Sequence, residues 1–95
     1  MLPFSGRIEK VSAKNLDAKR REIRPQAIYC LTEKDLPDVH FFGASGILIL
    51  PQGSLSHQCV RLMNAQVPFA LVTPQAMDEL PEGKFAIIRK DGIVF

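Results

Sequence analysis

Short apolar runs separated by polar or glycine- and proline-marked breaks set the pattern of this chain. Phe4 to Val11 alternates loosely between apolar and polar positions and predicts a first strand, with Gly6 as a candidate bulge. Ser12 to Pro25 is polar and charged and reads as a loop or edge segment. Ala27 to Leu31 predicts a second strand. Thr32-Glu33-Lys34-Asp35 has the form of a helix cap with acids in the first turn, and Pro37 keeps that helix short. Gly46 to Leu50 is apolar at every side-chain position, so both faces of that strand are expected to be buried. After Pro51 and a glycine turn, Ser56 to about Ala65 predicts the main helix, with Cys59, Val60 and Met63 on one face. Val67 to Val72 is the next strand. Thr73-Pro74 caps a short helix running to about Leu80, since threonine suits the cap and proline the first helical position. Lys84 to Lys90 and Ile93 to Phe95 are the closing strands, and Asp91-Gly92 marks the hairpin between them.

The sum is a mixed α/β domain of about six or seven short strands with one main helix after the glycine turn. Ninety-five residues, 46% of them apolar, make one domain with a modest core. That is too little chain to enclose a nucleotide pocket and a second substrate site as well. No apolar run reaches the roughly 20 residues of a membrane helix, and Met1-Leu2-Pro3-Phe4 lacks the marks of a signal peptide. Cys30 and Cys59 have no metal-type spacing and read as buried free thiols, which fits a reducing cytoplasm. Neither they nor His40 and His57 offer a metal site.

The net charge is only +2, but it is unevenly spread. Residues 1–24 hold seven basic side chains against three acidic ones; the remainder holds five against seven. Lys19-Arg20-Arg21 reads as a solvated run, with a docking surface for an acidic partner as the sharper alternative. Nucleic acid is disfavoured, because aromatic side chains do not interleave the cations.

The chemistry concentrates in Gln52-Gly53-Ser54-Leu55-Ser56-His57. A histidine at a helix start, reached through a glycine turn, sits where unpaired N–H groups and the helix dipole favour negative charge. The same dipole biases the imidazole toward its neutral, nucleophilic form. Gly53 lets the backbone approach an anion closely, and the Ser54 and Ser56 hydroxyls are candidate donors to it, one of them serving equally well as the helix cap. There is no phosphate loop of the G-x-x-x-x-G-K-[ST] kind and no carboxylate cluster to hold magnesium.

Gly53-x-x-Ser56-His57, after an apolar strand and before a helix, resembles the phosphohistidine signature of the mobile domain in phosphoenolpyruvate-utilising enzymes. Val67-Pro68-Phe69-Ala70-Leu71-Val72, Leu80-Pro81-Glu82-Gly83-Lys84 and Asp91-Gly92-Ile93-Val94 are similar to later segments of that domain, in the same order. The likeness runs from Gly6 to Phe95. It implies the swivelling β/β/α fold for residues 1–95, either as a separate subunit or as a piece of a larger enzyme. It further implies that His57 is the phosphorylated residue, with Gly53 at the second glycine and Ser56 at the hydroxyl or thiol position before the histidine; Ser54 joins them only as a candidate hydroxyl donor. The domain itself would bind no cofactor. Magnesium and ATP or phosphoenolpyruvate would belong to partner domains, a nucleotide-binding unit and a pyruvate- or acceptor-binding unit, in cis or in trans. Three positions depart from the pattern: Gln52 replaces the first glycine, and Met63 and Asn64 replace an arginine and a glutamate. These departures motivate the alternative reading, a non-catalytic binding or regulatory module that keeps the fold.

Overall fold

A computed structural model describes residues 3–22, 26–33, 45–50, 64 and 66–95. Among them, six strands and two short helices follow in the order β1 (Phe4–Val11), α1 (Leu16–Arg21), β2 (Ala27–Leu31), β3 (Gly46–Ile49), β4 (Phe69–Leu71), α2 (Pro74–Glu79), β5 (Phe85–Arg89) and β6 (Gly92–Val94). The strands form one sheet in the order β4-β3-β2-β1-β5-β6. β1 to β4 are mutually parallel, whereas β5 runs antiparallel to β1 and β6 antiparallel to β5. β1 is therefore the seam between a parallel and an antiparallel half.

The patterning explains the placement. β2 and β3 are apolar at every position and buried at every position, as strands covered on both faces must be. Their alternate side chains feed two separate cores. Ile28, Cys30 and Leu48 point into one, with Ile8 and Ile88 from the sheet, Met77 from α2 and Leu80 at its end. Ala27, Tyr29, Leu31, Ile47 and Ile49 point into the other, with Val11 and with Leu16 from α1.

Local signals held at α2. Thr73 Oγ1 accepts from the Ala76 N–H at 3.2 Å, and Pro74 occupies the first turn. Pro81 to Lys84 closes as a turn with the Lys84 N–H donating to the Pro81 carbonyl; Gly83 takes a φ of +84° there, which favours glycine. The final hairpin also forms, but Arg89 pairs with Gly92, so its two-residue loop is Lys90-Asp91 and Gly92 already belongs to β6.

Two expectations are corrected. Gly6 is no bulge: it pairs in regular register with Ala86, and its missing side chain makes room for the Gln26 carbonyl. The segment Ser12 to Pro25, read as loop or edge, contains α1. Six residues with a single apolar anchor carry no visible helical period. The Asn15 side chain does not cap this helix. Its amide accepts from the Ser12 N–H and donates to the Lys10 carbonyl. Tertiary contacts of Leu16 and Lys19 hold α1 instead. The predicted main helix at 56–65 and the short helix after Glu33 lie outside the described residues, Asn64 apart. No helix among the described residues is long and apolar enough to cross a membrane.

Candidate functional site

β3 delivers the chain to position 51 from the carboxyl-terminal end of the four parallel strands. In open α/β sheets this is the end where ligands bind, because the strand-to-helix connections gather there. Gly53, Ser54, Ser56 and His57 lie outside the described residues, as do Gln52, Met63, Cys59 and His40. What the structure describes is the ground on either side of the segment. Leu50 is buried in the first core, and the Val72 N–H donates to the Ile49 carbonyl at 2.8 Å, carrying the β3–β4 pairing to the end of both strands.

The neighbouring strand ends are fastened by side chains. Thr32 Oγ1 donates to the Val11 carbonyl at 2.9 Å, and Glu33 accepts from the Ala13 N–H at 2.7 Å. These contacts lock the exit of β2 against the exit of β1. Thr32 and Glu33 thus fasten the strand ends, a role the sequence did not suggest.

Sequence reasoning missed a polar cluster at the seam. Glu9 is the buried charged residue among those described, and Lys19 of α1 donates to its Oε1 at 2.8 Å. The same ammonium reaches Glu82 Oε2 at 3.5 Å. Glu82 Oε1 accepts from the Lys10 N–H, and Lys10 Nζ donates to the Asp78 carbonyl. Four charged side chains therefore tie β1, α1 and the turn before β5 together. Partial burial pulls the Lys19 pKa down, but the hydrogen bond to Glu9 and the charge of Glu82 more than offset it, so the net shift is upward. The basic N-terminal segment is thus partly spent on internal pairing: Lys10 and Lys19 face carboxylates and a carbonyl, not a partner. The only sequence hint was Glu9, a charge in a predicted strand directly after the apolar Ile8.

Lys19→Met tests this cluster. It leaves Glu9 buried without its cation and is expected to cost about 1–3 kcal/mol at neutral pH. A raised folded pKa means that the lysine's contribution is fully present below its ordinary value of 10.5 and is lost as pH rises through the higher folded value. Urea unfolding of both proteins at pH 8 and pH 11 should show the gap narrowing at the higher pH. An equal gap at both would remove the charge from the explanation.

Cys30 is fully buried in the first core, and burial, with Glu82 nearby, pushes its thiol up to about 12. A thiol so placed stays protonated and inert at neutral pH, as expected for a core cysteine. Among the described residues no group of histidine, cysteine and carboxylate side chains is placed to hold a metal ion. Comparison of the chain with protein-family models, with curated proteins and with solved structures finds no match.

Proposed function

We propose that this chain is a phosphohistidine carrier in a two-step phosphoryl transfer, with His57 as the acceptor. The observation that carries the reading is the placement of the motif. In the sequence Gly53-Ser54-Leu55-Ser56-His57 comes shortly after a strand that is buried on both faces and ends on the carboxyl side of four parallel strands. The order of elements supports it further. A parallel strand at Phe69–Leu71, a glycine turn at Gly83 and a terminal hairpin fall where the resemblance to the swivelling phosphohistidine domain puts them.

In this reading the neutral His57 imidazole attacks the phosphorus of a donor held by a partner domain. An N–P bond forms as the P–O bond to the nucleotide or enolpyruvate leaving group breaks, and the leaving oxygen keeps the electron pair. Gly53 admits the phosphoryl group close to the backbone, and Ser54 and Ser56 donate to its oxygens. In the second step an acceptor at another partner site takes the group and restores the imidazole. Magnesium and the nucleotide or phosphoenolpyruvate belong to those partner domains.

The test is phosphorylation of the purified chain in extract of its own source cells, supplied with radiolabelled ATP or phosphoenolpyruvate. The expected result is one acid-labile, base-stable phosphoryl group that disappears in His57→Ala and persists in His40→Ala. No label from either donor, with partner binding indifferent to His57→Ala, would favour the non-catalytic binding module to which Gln52, Met63 and Asn64 already point.

A further inference from the structure

The two halves of the sheet differ on one face. Over β2 and β3 that face is closed by the second core, and Glu9 on β1 lies buried beneath Lys19. Over the antiparallel half it is open. Exposed and buried positions alternate along β5, placing Phe85, Ile87 and Arg89 outward opposite the buried Ala86 and Ile88. The register sets Arg7 beside Phe85, and Ser5 and Val94 on either side of Ile87. The result is an apolar strip, with Phe85 59% exposed, Ile87 38% and Val94 43%, bordered by the exposed Arg7 and Arg89. Among the described residues neither arginine has a carboxylate partner, and Glu9, the carboxylate on this side of β1, is already taken by Lys19.

We infer that this open face of β1, β5 and β6 docks a partner protein whose surface has an apolar centre edged by carboxylates. Burying Phe85, Ile87 and Val94 supplies the favourable contact, and the two unpaired arginines select the sign of the rim. A second copy of the chain fits poorly. A two-fold interface sets the same patch against itself, and this patch brings cations with no carboxylate to meet them. Nucleic acid fits poorly too, because two cations make a weak phosphate footprint and Phe85 is the one aromatic ring in a strip otherwise built of Ile87 and Val94. The docking face does not depend on the role of His57, and its test does not read phosphorylation.

Photoreactive p-benzoylphenylalanine introduced at position 87 of the whole chain, with position 75 on exposed α2 as control, should give in its own cells a protein adduct specific to position 87. The adduct partner is then identified, purified and titrated. Arg7→Glu combined with Arg89→Glu should weaken binding about tenfold or more, Phe85→Ser should weaken it comparably, and added salt should weaken the wild-type complex. Unchanged melting temperatures would certify that these surface variants are folded; Arg7→Gln with Arg89→Gln replaces the charge-reversed pair if it is not. An adduct with nucleic acid or with a second copy, no adduct specific to position 87, or affinity indifferent to the arginines would overturn the assignment.

Discussion

Tyr29→Ala is expected to cost about 3–5 kcal/mol, the range for removing a fully buried aromatic ring. Tyr29 is 1% exposed at the centre of β2, where it joins Val11, Leu16, Leu31 and Ile47 in the second core. Both neighbouring strands and α1 lose contacts together. The strands that carry the surrounding side chains are fixed by backbone pairing of β2 with β1 and β3, so they cannot close the hole. A domain of this length has a total stability on the order of 5–10 kcal/mol, so the variant should sit near its midpoint in mild denaturant. Urea unfolding followed by circular dichroism reads the loss directly. Tyr29→Phe, which keeps the ring, should recover most of it. If Tyr29→Ala lost less than about 1 kcal/mol, the second core would not be packed as described.

Gly6→Ala is expected to cost about 2–4 kcal/mol, although it adds one methyl group to a strand. A Cβ at position 6 would overlap the carbonyl of Gln26, a backbone atom that cannot swing aside as a side chain can. That carbonyl accepts from the Arg7 N–H at 3.0 Å, and Gln26 already sits at a φ of +64°, unfavourable for a residue with a side chain. Relief therefore has to come from the entry of β2, at the expense of the first rung of its pairing with β1. Gly83→Ala is the informative comparison. Nothing lies within reach of a methyl group there, so only the φ of +84° counts against it, about 1 kcal/mol. Equal losses in the two variants would place the Gly6 effect in backbone freedom rather than in the close approach to β2.

These two positions show how unevenly the structure could be read from the chain. The Tyr29 strand was plain: five apolar residues between breaks, found at Ala27–Leu31 as expected. The Gly6 strand was plain as well, yet the glycine's purpose was not, because the clash it avoids comes from a residue 20 positions away. α1 was invisible for the same kind of reason. Its stability comes from burying Leu16 and pairing Lys19 with Glu9, and neither contact leaves a local period. The candidate site was legible only as a motif. Gly53, Ser54, Ser56 and His57 lie outside the described residues, so their chemistry rests on their order in the chain and on the strand that precedes them.

By itself the sequence determined the mixed α/β class and nearly every strand, because burial on one face or two imposes a period that side chains must obey wherever the strand ends up. It also determined the cap of α2 and the closing turns, since a threonine, a proline or a glycine acts on its nearest backbone. Only the tertiary structure decided that β1 is the seam between parallel and antiparallel halves, that two lysines of the basic segment pair within the fold, and that one face of the antiparallel half stays open. Strand order and direction are choices among pairings whose local energies are nearly equal. What separates them is which distant side chains then meet.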